Sequence, residues 1–421
     1  MTTFDVSSAA ELQSILASAK AGDVISLSAG DYGDVTIKGK NFAQDVTITS
    51  ADPAHEASFH SLNVQSSSGL DFSGVTVNLV PTASTVSFSA AVKIANSSDI
   101  TFSGGHVNSG AAITGVAATA TKLDGTGNVI GMDTARGVDI EGSSNVTVKG
   151  VEIDHLYKGV TIGSSTGVTV SDNNIHDVRT STIDAAADNN LVIDGNTMSN
   201  SHPWNTGNGD HADFIHIWTD PSLQTGASNN IQITNNTMSQ GDGVAPLGIY
   251  LDDNAHGLGF TNVTIQGNVI LNGAGQGVRL ENTSQAVVDN NTLLQTSGTP
   301  KNAPGIIVAD GSHDVDVSGN VTSYASNSLT GVLATANIHD NTIVQAADPT
   351  AAGYYSSAVL NQVETLTSTT GAEQYVLANV GVQPIAAAFV MVQGDVNGAG
   401  MDDFGIKPMA VFSLHPSEFI F

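Results

Sequence analysis

Apolar and polar residues alternate in short runs along most of this chain, and the runs recur. A phrase of the form apolar-x-apolar-polar-x-Asn, followed by another apolar residue, appears at VTVSDNNI (168–175), LVIDGNTM (191–198), IQITNNTM (231–238), VTIQGNVI (263–270), AVVDNNTL (286–293), VDVSGNVT (315–322) and NIHDNTI (337–343). Period-two alternation over so few residues predicts short strands ended by turns. The aligned asparagines are Asn173, Asn196, Asn236, Asn268, Asn291, Asn320 and Asn341, at spacings of 23, 40, 32, 23, 29 and 21 residues. A recurrence near ~22 residues is a solenoid spacing, and the longer intervals are the same unit with inserted loops. A second strand precedes each phrase: GVDI (137–140), GVTI (159–162), TIDA (182–185), FIHI (214–217), GIYL (248–251), GVRL (277–280) and GIIV (305–308). An Asn at a fixed turn position suits a left-handed or side-chain-bonded turn, and stacking brings such residues into a ladder. The pattern predicts an all-β fold, a parallel β-helix with coils ~4.8 Å apart. A β-sandwich leaves a fixed Asn register over seven units unexplained.

The ends differ from the middle. Ser8-Ala-Ala-Glu11 has the spacing of a capping box, and Leu12, Ile15, Leu16 and Ala19 follow a helical stripe, so a helix is expected over about 8–20. It would cover the open end of the solenoid, whose bare strand edges otherwise invite aggregation. After Asp348 the repeats fade, which divides the chain into a β-helix with its cap over 1–350 and a C-terminal segment over 351–421.

Composition narrows the function. Twelve Lys and Arg against 40 Asp and Glu give a net charge of −28, while 40% of the residues are hydrophobic. That much apolar content excludes disorder of the bulk. So few cations exclude nucleic-acid binding, which needs clustered Lys and Arg. The chain has no Cys, which removes disulfides, thiolate metal sites and Cys nucleophiles. No apolar run approaches the ~20 residues of a membrane span. Met1 to Ser7 has neither a basic segment nor an apolar run, so no N-terminal signal peptide is expected.

Strand alternation also places the candidate chemistry. In the upstream strands Val160/Ile162, Ile183/Ala185, Ile215/Ile217, Ile249/Leu251, Val278/Leu280 and Ile306/Val308 point inward, and their neighbours point out. Down consecutive coils the first outer row is Asp139, Thr161, Asp184, His216, Tyr250, Arg279, Ile307. The second row is Glu141, Gly163, Ala186, Trp218, Asp252, Glu281, Ala309. An ordinary solvated face would show Thr, Ser, Asn and Lys. The 40-residue unit also inserts SHPWNTGNGDHAD (201–213) just before this face, bringing Trp204, Asp210, His211 and Asp213 towards it. Long loops on a rigid scaffold tend to be functional.

Two chemistries fit this cluster. β-Elimination at a uronic acid needs a base at C5, a proton donor for the leaving oxygen and a cation on the carboxylate. His216 and Tyr250 are candidates for base and acid, Arg279 for the clamp, and Asp184 or Asp213 for orienting His216. A calcium ion on Asp210, Asp213 and Asp252 is an alternative source of positive charge. Glycoside hydrolysis instead needs paired carboxylates, and Asp252 and Glu281 stand one coil apart, near the ~5 Å separation of retaining enzymes. Trp218 and Trp204, with His211 and Asp139, would contact sugar in either case.

The helix followed by AGDVISLSAGDYGDVTI (21–37) resembles the opening of secreted right-handed β-helix carbohydrate-active enzymes, among them alginate lyases and chondroitinase B-type lyases. The resemblance spans about 5–345 as architecture. It implies a right-handed solenoid and an acidic polysaccharide as substrate. A lyase is the first expectation, and a hydrolase, a uronan C5-epimerase or a non-catalytic binding protein are the alternatives. Asp252-Asp253, His256-Gly257 and Gly277-Val-Arg279 are similar to polygalacturonase motifs, but with the His-Gly element too close to the Asp pair. The segment from Gly394-Asp395-Val-Asn397 through Gly400 and Asp403-Phe404 to Ser417-Glu418-Phe419-Ile420-Phe421 resembles the C-terminus of serralysin-type proteins. That likeness implies type I secretion and an extracellular protein, and a monomer with no nucleic-acid or membrane partner is expected. Asp395, Asn397 and Asp403 sit at calcium-loop offsets, with Ala399 where a ligand belongs.

Overall fold

The computed structural model describes residues 1–80, 85, 88–109, 122–123, 129–130, 135–203, 210–254, 256–296, 304–309, 311–323, 329–331, 336–346, 355–360, 392–394 and 404–406. Trp204, the calcium-loop residues Asp395, Asn397 and Asp403, and the terminal Ser417–Phe421 motif lie outside the described residues.

Among the described residues, three long sheets of 13, 11 and 13 strands run the length of the molecule. Each coil gives one strand to each sheet. The coil of Lys158–Gly163, for example, places that strand in the 11-stranded sheet, here sheet II. Thr166–Ser171 follows in sheet I and Asn174–His176 in sheet III. Successive coils pair in parallel, as Lys158–Gly163 does with Arg136–Glu141 before it and Ile183–Ala186 after it. This is the parallel β-helix that the repeats predict. Its core is the set of inward positions read from the alternation. Val160, Ile183, Ile215, Ile249, Val278 and Ile306 are at most 1% exposed. Burying each such side chain stabilises the fold by roughly 1.5–3 kcal/mol.

The asparagine ladder is present over all seven units. Asn173, Asn196, Asn236, Asn268, Asn291, Asn320 and Asn341 are buried at the corner between sheets I and III. The side-chain amide and backbone N–H of each donate to the Oδ1 of the next, as from Asn196 to Asn236 at 2.9 Å for both. The amide also donates to a backbone carbonyl of the preceding coil, as Asn236 does to Ile193 at 2.9 Å. The left-handed residue is the one before each ladder Asn: Asp172, Gly195, Asn235, Gly267, Asn290, Gly319 and Asp340 all have φ between 54° and 68°. The ladder Asn itself is held by side-chain bonding. A second ladder, which the repeat phrase does not contain, lines the corner between sheets II and I. There the N–H of Ser97 takes the hydroxyl of Ser143 at 3.1 Å, Ser143 that of Ser165 at 3.1 Å, and Ser165 the carboxyl of Asp188 at 2.7 Å.

The N-terminal helix is shorter than its stripe suggests, Ala9–Leu16 rather than 8–20. Ser8 caps it, its hydroxyl accepting from Glu11 N–H at 3.3 Å. The return bond runs from Ser7 N–H, one residue before the cap, to the Glu11 carboxylate, which accepts it at 2.9 Å. After Leu16 the chain tightens, with Ser18 N–H on the Ile15 carbonyl, and Gly22 turns at φ 79° into the strand Val24–Leu27. Leu12 and Leu16 seal the end of the core. At the other end, Tyr355–Leu360 lies antiparallel on Asn341–Ala346.

Candidate active site

The outer rows of sheet II fall in the register read from the sequence. Asp139 pairs with Thr161, Thr161 with Asp184, Asp184 with His216, His216 with Tyr250, Tyr250 with Arg279 and Arg279 with Ile307. In the second row Ala186 pairs with Trp218 and Trp218 with Asp252. Glycine at the entry of several of these strands brings the coils this close. A Cβ on Gly248 would lie 1.9 Å from the Gly277 carbonyl oxygen, so no side chain fits there.

His216 is the centre of the cluster. Its Nδ1 lies 3.3 Å from Asp184 Oδ2 and its Nε2 3.4 Å from Asp252 Oδ2, so the imidazole spans two carboxylates in the coils on either side. Burial pulls the imidazole pKa down, but hydrogen bonds to Asp184 and Asp252 and the charge of Asp213 outweigh it and lift it to about 9. His216 is thus an imidazolium at neutral pH. Burial of Asp184 opposes its ionisation, yet Lys158 and His216 hold its carboxyl far below the usual range. Lys158 Nζ reaches Asp184 Oδ2 at 2.6 Å, and Trp218 Nε1 donates to Asp184 Oδ1 at 3.3 Å. Asp252 accepts from Asn254 N–H at 2.7 Å, and burial fails to keep its pKa from falling against His216.

Tyr250 stacks on His216 with ring centroids 5.5 Å apart. Its hydroxyl donates to Glu281 Oε1 at 3.0 Å. Burial, then Asp252 and Glu281, push the phenol pKa well up. Arg279 donates through Nε to the same Glu281 oxygen at 2.8 Å and lies 5.7 Å from the Tyr250 ring centroid. Asp184, His216, Trp218, Tyr250, Asp252, Arg279 and Glu281 therefore form one connected group.

The inserted loop contributes at its end. His211 Nδ1 lies 2.8 Å from Asp213 Oδ2, and its ring is 6.1 Å from that of His216. Asp213 is fully buried, and its other oxygen has no protein partner. Asp210 departs from the expectation of a calcium ligand. Both its oxygens are taken by Arg179, from Nε at 2.8 Å and from a terminal nitrogen at 2.6 Å, in an ion pair almost closed to solvent. Neither Asp210 nor Asp213 belongs to a group of three ligand side chains close enough for one ion, among the described residues. At Asp210 a buried guanidinium already supplies the positive charge that an ion would bring. Asp253 departs from the polygalacturonase-like motif too. It turns inward and accepts from Gly257, Leu258 and Gly259 N–H and from Thr219 and Asn282, so it shapes a loop.

Asp139 lies along the same face but apart from His216, held by Arg136 at 2.6 Å, Thr161 at 2.6 Å and Lys93 at 3.3 Å. Lys93, Arg136 and Lys158 are the residues that reading the rows from Asp139 missed. Lys93 occupies the first row one coil earlier, opposite Asp139. Arg136 and Lys158 pair one step upstream, just before Gly137 and Gly159. Extending the first row by one coil finds Lys93, whereas strict alternation from Val138 and Val160 points Arg136 and Lys158 inward, and the break at Gly137 and Gly159 leaves them partly exposed instead. Lys93 and Arg136 border, with Asp139, Asp184, Trp218 and Leu223, an open groove of about 400 Å³, and Lys158 reaches it through its ion pair with Asp184.

Residues 136–322 match the family model described as a right handed beta helix region. The selenomethionine derivative of the GH136 lacto-N-biosidase from Eubacterium ramulus superposes with a TM-score of 0.51 at 11% identity, over 81% of this chain and 67% of that one. The chain is a right-handed parallel β-helix. An alginate lyase from Paenibacillus sp. str. FPU-7 aligns over 80% of this chain and 99% of its own, at 15% identity and a TM-score of 0.49. The A-module of a mannuronan C-5 epimerase from Azotobacter vinelandii aligns over 79% of this chain and 89% of its own, at 13% and 0.48. Among curated proteins, none matches this sequence. At these identities the likeness is one of fold, and the chemistry has to be argued from the site.

Proposed function

We propose that this β-helix is a polysaccharide-active enzyme that cleaves a uronic-acid-containing chain by β-elimination. One observation carries the reading. Lys93, Arg136, Lys158 and Arg279, four of the 12 Lys and Arg residues in a chain of net charge −28, stand on one face with protonated His216 among them. Each is paired with a carboxylate on that face, and Lys93 and Arg136 border an open groove there, an arrangement that receives a polymer with repeated carboxylates.

Each residue then has a role. Arg279, now paired with Glu281, exchanges that partner for the substrate carboxylate and stabilises the charge that develops as the C5 proton leaves. Tyr250 takes the C5 proton as its own hydroxyl proton passes to Glu281 Oε1, 3.0 Å away, with the Arg279 guanidinium beside the ring. The C4–O bond breaks as C4=C5 forms, and His216 gives its proton to the leaving oxygen. Asp184 and Asp252 keep His216 charged and aimed. Trp218 offers a ring face to a sugar. An extracellular place of action goes with such a substrate.

The test is incubation of the full chain with a panel of acidic and neutral polysaccharides, with His216→Ala as control. Ultraviolet absorbance from a C4–C5 unsaturated product, absent in the variant, is expected. New reducing ends without that absorbance would mean hydrolysis through Asp252 and Glu281 and overturn the elimination. Altered uronate stereochemistry at constant chain length would mean epimerisation.

A further inference from the structure

Sheet III carries a second group of titratable side chains, on a different sheet from the candidate active site. The strands His106–Asn108, Glu152–Asp154 and Asn174–His176 lie in successive coils. Val107, Ile153 and Ile175 face the core, which turns His106, Glu152, Asp154 and His176 outward. We propose that His106, Glu152, Asp154 and His176 bind one divalent transition-metal ion of the zinc class.

The geometry is that of a ligand set. One atom each of His106, Glu152 and Asp154 lies within 4.8 Å of the others. His176 Nε2 is 3.3 Å from Glu152 Oε1 and 3.9 Å from Asp154 Oδ2. Two ligands on a tetrahedral zinc ion, each bound at ~2.0–2.1 Å, lie about 3.3 Å apart. His106 Nε2 reaches Asp154 Oδ2 at 2.6 Å, so these two spread slightly to admit the ion.

The surrounding side chains orient the ligands. His176 Nδ1 lies 2.7 Å from Asp177 Oδ2, and donation there leaves Nε2 directed at two carboxylates. A nitrogen facing two carboxylates needs a positive charge between them, which a proton or a metal ion supplies. The carboxylate–imidazole pair is the usual outer support of a metal-bound histidine. His155 Nδ1, 2.5 Å from Asp154 Oδ1, fixes the other side of that carboxylate. Asn108 lies 3.1 Å from His106 Nδ1, and a turn of its amide presents the oxygen to that nitrogen.

The donor chemistry selects the ion. Two imidazole nitrogens and two carboxylate oxygens suit zinc and its neighbours, whereas calcium and magnesium prefer oxygen alone. Glu152 and Asp154 together neutralise a dication. The ion would fasten three coils at one point, closing the chain between His106 and Glu152.

The test uses the full chain, freed of metal with a chelator and titrated with zinc chloride by calorimetry, with melting followed in parallel. Zinc is expected to bind and raise the melting temperature, a chelator to reverse the rise, and calcium chloride at the same concentration to leave it unchanged. His176→Gln and Glu152→Gln, both at partly exposed positions, are expected to weaken zinc at least tenfold, and Asp177→Asn about 10–100-fold. His60→Gln, an exposed histidine paired with Asp31 away from this group, is expected to leave the affinity as it is. No zinc binding by the wild type overturns the site. So does affinity that survives both His176→Gln and Glu152→Gln, or a response to calcium alone.

Discussion

His216 and Tyr250 stack face to face across two coils, centroids 5.5 Å apart and planes 28° from parallel, and each carries a proton near neutral pH. The stack brings a cationic proton donor and a phenol together, while separate carboxylates hold each of them. Asp184 and Asp252 serve His216, and Glu281 serves Tyr250.

This arrangement fixes an upper pH limit. His216 titrates at about 9, raised above its unfolded value of 6.5. A reaction that needs the imidazolium should hold up through pH 8 and fall as pH rises past 9. The stability from the same ion contacts has the same sign: it is complete below pH 6.5 and lost as pH rises through 9. Thermal melts of wild type and His216→Gln between pH 6 and 10 should therefore converge at the alkaline end. Activity of the wild type that kept climbing beyond pH 10 would remove His216 as the acid.

The roles of Tyr250 and Arg279 separate in kinetics. Tyr250→Phe keeps the ring stack but removes the hydroxyl, and should lower kcat by roughly 10²–10⁴-fold with little change in KM. Arg279→Lys keeps a charge but loses the planar fork that matches a carboxylate, and should raise KM about tenfold as well as lower kcat. Equal losses of kcat alone in both variants would count against a carboxylate clamp.

The register of this site was legible because two periodicities coincide. Seven asparagines fix where each coil turns, and alternation then fixes which side chains of sheet II share a row. Partners across a loop were not legible. Nothing in the spacing of Arg179 and Asp210 says that they meet, because the strands Ile183–Ala186, Leu191–Asp194 and Thr197–Ser199 stand between them in sequence. Lys158 escaped notice for another reason: it precedes the glycine at which reading of the strand began. The serine ladder was hidden because serines in corner positions look like ordinary turn residues, while their alignment becomes visible only once coils are stacked.

The asparagine ladder should be a cooperative element of stability. In Asn236→Leu the backbone N–H and side-chain amide of Asn196 both lose the oxygen they share, deep in the interior. A buried donor left without a partner costs about 1–3 kcal/mol. Denaturant melts should show a loss of at least that size for Asn236→Leu. Asn230→Leu, at the partly exposed far end of the strand leading to Asn236, should cost well under half as much. Equal losses at the two positions would deny the buried ladder its special weight.

Asp188 gives a test of opposite sign. Burial lifts its carboxyl pKa to about 7, and the Ser165 N–H bond offsets this only in part. A carboxyl whose folded pKa lies above its unfolded 3.8 favours the fold at acid pH and loses that contribution as pH rises through 7. Asp188→Asn keeps an oxygen for Ser165 N–H without the charge. It should therefore stabilise the protein on the order of 1–3 kcal/mol at pH 8 relative to pH 5, read from chemical melts at both values. A variant equally destabilised at both pH values would show that the ionised carboxyl is not strained at this corner.

The dependence on salt joins the site to the charge of the whole chain. A net charge of −28 repels a polyanion at long range, while Lys93, Arg136, Lys158 and Arg279 attract it at contact. Salt screens the first effect before the second, because at about 0.1 M the Debye length is ~10 Å, longer than a contact and shorter than the molecule. On a polyanionic substrate kcat/KM should rise from very low salt to about 0.1 M and fall only at higher concentrations. Arg136→Gln, which removes one cation from the groove and leaves the His216 cluster intact, should lower the maximum several-fold and keep the rise. Steady-state rates across a salt series check both points. A steady decline from the lowest salt upward would mean that the substrate meets an attractive field from the start, and that the scattered carboxylates of the coil turns do not govern its approach.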